Sequence, residues 1–132
     1  MFMDLHVIDW EYTQYGHRAH DLGQMIADVL ERKHFEKAEI AMLTLEALVE
    51  SYGDTVNDSM AFRAAIHAGA HMLGWHTRRA PGAPLSASPE VVSEFMELAT
   101  LFIAKGWQKD SKFFSKTALA CLFVTHEAEV RE

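Results

Sequence analysis

Residues 64–70 read Ala-Ala-Ile-His-Ala-Gly-Ala, and this run of small side chains decides how the chain packs. The run lies inside a helical pattern that begins at Asn57 or Asp58, either of which can cap a helix, and that reaches Thr77. Small side chains allow a neighbouring helix to approach closely. We therefore expect this helix to lie in the middle of the fold.

Apolar residues at three- and four-residue spacing predict further helices on both sides of the central one. The predicted ranges are 19–32, 36–52, 89–106 and 111–125. Gly53 should end the second helix, because glycine enters the left-handed backbone region without a Cβ penalty. Ser88 should cap the fourth helix, and Gly106 should end it.

One short strand is predicted ahead of the helices, over Leu5–Ile8, because this segment is short and rich in β-branched residues. A lone strand leaves backbone N–H and C=O groups unpaired on both edges. Either the chain lacks the partner strand or a second copy supplies it. The predicted fold class is thus mainly α, about five helices behind one short N-terminal β-strand, in a single domain spanning 1–132.

Charge and composition exclude several functional classes. The 132 residues carry 12 Lys and Arg against 19 Asp and Glu, which argues against a nucleic-acid partner and against docking on an anionic membrane. The single cysteine, Cys121, excludes an intrachain disulfide and zinc modules that need two cysteines. No signal peptide and no membrane-spanning apolar run is recognisable, so we expect a cytoplasmic protein.

The densest group of polar and aromatic residues follows the predicted strand. Asp9 and Glu11 stand at its end, where two carboxylates can bind a hard cation such as Mg²⁺. Asp21 follows at the start of the first helix, where a carboxylate can accept bonds from backbone N–H groups. The alternative interpretation is that Asp9 and Glu11 are turn residues and that Asp21 is a helix cap.

The same stretch resembles the aminoglycoside phosphotransferase and choline kinase superfamily, over about Val7 to Gly23. The resemblance is carried by Ile8-Asp9-Trp10-Glu11-Tyr12 and then by Tyr15, Arg18, Asp21, Leu22 and Gly23. It implies the helical C-lobe of a protein-kinase-like fold, with Asp9 as a Mg²⁺ ligand and Glu11 as a second or water-mediated ligand. It also implies that Asp21 braces the backbone of the catalytic loop, a structural role. Trp75 and Trp107 are the candidates for an acceptor pocket of the kind that choline kinases line with aromatic side chains.

Phosphoryl transfer needs several parts that the resemblance does not supply here. The His-x-Asp pattern of the catalytic loop should lie just upstream of Ile8, and the sequence begins too late to contain it. A glycine-rich phosphate loop and a strand lysine are also not recognisable, so no catalytic residue is expected within this chain. The complete enzyme would use Mg-ATP, which this chain alone should not bind tightly.

Two functional hypotheses follow. In the first, the chain is the C-lobe part of a small-molecule phosphotransferase, inactive in isolation. In the second, it is a non-catalytic remnant of the kinase fold that acts as a dimerising or partner-binding helical module. In either case we expect a homo-oligomer formed through the N-terminal strand and exposed apolar surface.

His67 and His71 add one alternative metal site. They stand four residues apart on the central helix, the spacing at which two imidazoles can share a cation. No glutamate follows His67, as the zinc-protease pattern requires, and no third ligand is recognisable nearby. Two structural or surface histidines are the favoured interpretation.

Overall fold

The computed structural model describes residues 6, 15–36, 39–53, 56–77 and 87–123, with the side chains of 75–77 excepted. The described helices are α1 (Arg18–Glu36), α2 (Ile40–Tyr52), α3 (Asp58–Thr77), α4 (Pro89–Trp107) and the short α5 (Ser111–Phe114), followed by a 3-10 helix (Ala118–Leu122). None of the helices in these ranges combines the length and the hydropathy needed to cross a bilayer.

The central position of α3 is confirmed. Its most extensive interfaces are with α1 on one side and α4 on the other. Gly23 of α1 lies so close to α3 that a Cβ atom there would come 2.7 Å from the Ala64 carbonyl oxygen. On the other side, a Cβ atom on Gly69 would come 2.5 Å from the carbonyl oxygen of Ala99. Both crossings therefore depend on the absence of a side chain.

A cluster of phenylalanine rings around Phe114 fills one end of the core. The ring of Phe114, fully buried, lies 5.1 Å from Phe123, 5.8 Å from Phe102 and 6.2 Å from Phe62 between centroids. These separations are in the range of favourable aromatic pairs. The largest fully buried side chains of the described core are Phe95, Phe102, Phe114, Leu22, Ile26, Leu45, Met72, Leu119 and Leu122.

The predicted N-terminal strand over Leu5–Ile8 is wrong for the part of the chain that the structure describes. The described ranges are helical with turns and contain no strand, and His6, the one described residue of that segment, is not in a strand. Leu5, Val7 and Ile8 lie outside the described residues. The physical reason is that a strand needs a neighbouring strand for its backbone hydrogen bonds, and the described ranges offer none. The fold class is therefore helical there, and the expected homo-oligomer stays a prediction.

The predicted fifth helix over 111–125 is also corrected. α5 stops after Phe114, and the chain then turns into the 3-10 helix. The Thr117 hydroxyl donates to the Phe114 carbonyl at 2.8 Å and accepts from the Leu119 N–H at 3.1 Å. Such a hydroxyl replaces the helical backbone bonds on both sides of itself, and this competition divides the segment.

Two helix ends differ from prediction because of tertiary contacts. α1 extends four residues beyond Arg32, to Glu36. In this last stretch the His34 Nε2–H donates to the Val91 carbonyl at 2.8 Å, and the ring of Phe35 lies 4.9 Å from that of Phe95. α2 begins at Ile40 rather than at Glu36. Contacts of His34 and Phe35 with α4 thus accompany the extension of α1 over residues that the sequence pattern left outside the first helix.

α4 begins as predicted, but it ends differently. Ser88 Oγ accepts from the Val91 N–H at 3.3 Å, which confirms the cap. Gly106, the predicted end, is buried inside the helix, where a Cβ atom would come 2.7 Å from the Ile66 side chain. The helix ends instead at Trp107, and Lys109, two residues later, takes the left-handed conformation with a φ of 57°. Here the Asp110 N–H donates to the Lys105 carbonyl and the Lys109 N–H to Gly106, the bond pair of a Schellman motif.

Candidate functional site

The beginning of α1 carries the described part of the superfamily-like run. The proposed metal ligands Asp9 and Glu11 lie outside the described residues, so their placement stays a prediction. Helix α1 begins at Arg18, and His17 caps it by accepting the Ala19 N–H on Nδ1 at 3.1 Å. A histidine cap leaves the imidazole close to the positive end of the helix dipole.

The last three residues of the run differ in exposure: Asp21 faces solvent, whereas Leu22 and Gly23 are packed in the interior. The Asp21 side chain is 78% exposed and lies 3.5 Å from His20 Nδ1. Its place in the first turn of α1 is favourable for a carboxylate. Leu22 and Gly23 are buried, and Gly23 makes the close approach to α3. The proposed bracing role of Asp21 stays a prediction, while the two residues after it anchor the helix.

Three histidines and an arginine gather beside this helix start. The rings of His20 and His67 meet edge to face, 5.2 Å apart between centroids. Burial lowers the pKa of His67, and the nearby positive charges of His20, His17 and Arg63 lower it further. The His67 imidazole is therefore held neutral over a wider pH range than an ordinary histidine, and a neutral imidazole can accept a proton or a hydrogen bond.

The sequence pattern did not predict this grouping. Its members are spread over fifty residues, and only the packing of α1 on α3 joins them. A usable signal was present in Gly23 and in the small residues Ala64 and Ala68 that flank His67, since they indicate where two helices cross.

His71 faces a different group from His67. Its Nε2 lies 3.1 Å from Asp28 Oδ1 on α1, and Glu31 lies on the same side of that helix, one turn further along. The ligand atoms of these three residues all lie within 4.8 Å of one another. The i, i+4 histidine pair thus makes two separate sets of contacts with α1, one with His20 and one with Asp28.

A groove of about 380 Å³ runs between α1 and α2 next to Asp28. Its lining is largely apolar, with Met25 and Val29 from α1 and with Ile40 and Leu48 from α2. Ile40 is 68% exposed, and Leu43 on the same helix is 65% exposed. An exposed apolar side chain such as Ile40 at the rim of a groove indicates a surface suited to apolar contact.

The two tryptophan candidates stand at opposite ends of the α3–α4 pair. Gly106 meets Phe62 and Ile66, whereas Gly69 meets Ala99, so the two helices run antiparallel. Trp107 therefore lies beside the first half of α3, where it is 81% exposed. Position 75 lies near the other end of α3, on the order of 15 Å along the helix axis. The structure does not bring the two positions together, and their role in an acceptor pocket stays a prediction.

The chain is similar in sequence to a phosphotransferase. The chain is 27% identical over 117 residues to the phosphotransferase FrzJ of Cladobotryum sp. These residues are 89% of this chain and 29% of that protein, so the chain spans less than a third of the relative it matches. No family model matches the chain, and no solved structure gives a significant match. The similarity supports a phosphotransferase-related origin.

Proposed function

We propose that this chain is part of a phosphotransferase that transfers the γ-phosphoryl group of Mg-ATP to a hydroxyl group on a small acceptor. The observation that carries the proposal is the similarity to FrzJ, which extends over 89% of the chain. The run from Ile8 to Gly23 adds support, because it resembles the metal-binding end of the aminoglycoside phosphotransferase and choline kinase active site.

In this proposal the residues of the run have separate roles. Asp9 binds the Mg²⁺ of Mg-ATP, and Glu11 supports the ion directly or through water, since Mg²⁺ prefers oxygen ligands and retains several waters. Asp21 braces the catalytic loop. The buried Leu22 and Gly23 hold the start of α1 against α3, which gives the run a rigid base. The acceptor proton goes to a general base outside this sequence.

The first experiment measures the size of the native polypeptide with an antibody raised against this chain. A band well above 14.9 kDa is expected, because the chain matches only 29% of its relative. A band at 14.9 kDa would contradict the proposed longer enzyme. Tight binding of Mg-ATP by this chain alone would contradict the view that its site is incomplete.

The second experiment tests the chemistry on that native polypeptide. ATP turnover is measured with a panel of small hydroxyl-bearing acceptors, and Asp9→Asn should lower kcat by at least about a hundredfold because positioning of the metal supplies much of phosphoryl-transfer catalysis. The control is Glu39→Gln, an exposed carboxylate between α1 and α2, which should leave turnover unchanged. Equal activity of both variants would remove Asp9 from the site.

A second candidate function is a helical module that pairs with another copy of itself. The exposed apolar residues Ile40 and Leu43 of α2 favour it. Ile40 lines the groove between α1 and α2, and Leu43 adds exposed apolar surface on the same helix. Sedimentation velocity is the test: Ile40→Asp should shift a dimer toward monomer, whereas Ser51→Asp, at an exposed polar position of the same helix, should not. A monomer at high protein concentration would contradict self-association.

A further inference from the structure

We propose that Asp28, Glu31 and His71 form a binding site for a divalent transition-metal ion of the Zn²⁺ type, held between α1 and α3. Two carboxylates and one imidazole converge there from two helices.

The separations of the donor atoms suit one shared ion. With ligand bonds of about 2.0–2.2 Å and tetrahedral angles, two ligand atoms on one zinc ion stand roughly 3.3–3.6 Å apart. His71 Nε2 and Asp28 Oδ1 are 3.1 Å apart, and the Glu31 oxygen lies within 4.8 Å of both. An ion between the first pair would open their separation by a few tenths of an ångström. Glu31 would complete the set by turning its flexible side chain.

The backbone around the cluster holds these side chains in register. Asp28 and Glu31 are three residues apart on α1 and therefore lie on the same side of it. His71 comes from α3, the helix against which α1 packs most extensively. Ala27 and Ala68 are fully buried beside the cluster. Ligands carried on packed helices hold a geometry more closely than ligands carried on loops.

The donor set discriminates between ions. Imidazole is a ligand for Zn²⁺, Co²⁺ and Ni²⁺, whereas Mg²⁺ prefers a shell made of oxygen atoms. Two carboxylates balance the two charges of the ion. Three protein ligands also leave a fourth position for water, the arrangement of open zinc sites.

The cluster is accessible to an ion from solvent. The Asp28 side chain is 58% exposed, whereas that of His71 is 18% exposed. An ion can therefore enter on the Asp28 side and lose most of its water on the His71 side. The formal net charge of −7 raises the local concentration of cations around the chain.

The test is a calorimetric titration of the metal-free chain with Zn²⁺, repeated with Mg²⁺. We expect one Zn²⁺ ion per chain and much weaker binding of Mg²⁺. Asp28→Asn, Glu31→Gln and His71→Gln should each weaken Zn²⁺ binding by at least about tenfold, the loss that even outer-shell substitutions can cause. Co²⁺ should give a visible absorption band whose intensity reports a site of low coordination number, and each variant should reduce that band.

The matched control is His67→Gln, one turn earlier on α3 and in contact with His20 instead of Asp28. It should bind Zn²⁺ as the parent chain does. Equal losses in the His67 and His71 variants would indicate scattered binding to surface histidines and would overturn the site, as would a parent chain that binds no Zn²⁺. Asp28→Asn keeps the result interpretable if His71→Gln unfolds, because position 28 is exposed. Parent-like zinc affinity in a folded Asp28→Asn chain would also overturn the proposal.

Discussion

Gly23 of α1 lies directly against His67 of α3, and a Cβ atom at position 23 would come 2.6 Å from the Cβ atom of His67. The Ala64 carbonyl and the Ala68 nitrogen would both be within 3.0 Å of the same atom. Since two of these three neighbours are backbone atoms, the helices can accommodate a side chain at position 23 only by moving apart.

Gly23→Ala should therefore destabilise the fold by about 1–3 kcal/mol, the usual cost of overpacking. Urea unfolding followed by circular dichroism measures the free energy. The control is Gly74→Ala on α3, where a Cβ atom would meet nothing within 4 Å. That change should stabilise by about 0.5–1 kcal/mol because alanine is the better helix former. Equal effects of the two substitutions would show that position 23 is not a close contact.

His67 should make the stability of the fold dependent on pH. Its pKa is lowered in the folded chain, first by burial and then by His20, His17 and Arg63. The unfolded chain therefore binds this proton more readily, and stability falls as the pH drops below the ordinary value of 6.5. The fall levels off below the lowered pKa of the folded state. Unfolding free energies between about pH 5 and pH 8 should show this slope.

The slope should be smaller in His67→Gln, because glutamine does not titrate. His6→Gln is the control, since His6 is exposed. An unchanged slope in the His67 variant would assign the pH dependence to other groups.

Lys109→Gly should stabilise the chain. Lys109 follows the end of α4 with a φ of 57°, a conformation that costs a residue with a Cβ atom about 1 kcal/mol and costs glycine little. We expect a gain of up to about 1 kcal/mol, measured as a rise in the free energy of unfolding. Gln108→Gly is the opposite control: φ is −75° there, so glycine adds only backbone entropy to the unfolded state and should destabilise.

Phe114→Ala should cost about 3–5 kcal/mol, because it removes a fully buried ring from the aromatic end of the core. Phe113→Ala is the matched control, since the neighbouring ring is only half-buried and should cost distinctly less. Chemical denaturation of both variants gives the comparison. If the two losses were the same, Phe114 would not be the centre of the cluster.

The sequence predicts the four long helices because their signals are local. The cap at Ser88 and the small residues around Gly69 can be recognised from the sequence without any tertiary contact. The last turn of α1 is not, because it depends on the bond from His34 to the Val91 carbonyl, 57 residues away. The end of α4 is also not predictable from the sequence. Gly106 lies inside the helix, where it packs closely against α3, and Lys109 takes the left-handed conformation that favours glycine.

The candidate sites also divide into one that is recognised from a local motif and one that depends on tertiary contacts. Asp9 and Glu11 are recognised through a short motif, while the cluster of Asp28 and His71 joins residues 43 positions apart. Only the register of α1 on α3 brings these together. The i, i+4 spacing of His67 and His71 draws attention to the correct helix, but it says nothing about which residues of α1 lie opposite each histidine.

The pairing of α1 with α3, rather than mainly with the helix that follows it, has a consequence during synthesis. α1 is complete at Glu36, but the helix that covers most of its apolar face ends at Thr77. At about 5–20 residues per second, the ribosome needs several seconds to synthesise the residues between the end of α1 and the end of α3. For this interval Leu22 and Ile26, which are fully buried in the finished fold, belong to a nascent chain without its main packing partner. The order in which the helices are made thus delays the burial of the first apolar face until the third helix is complete.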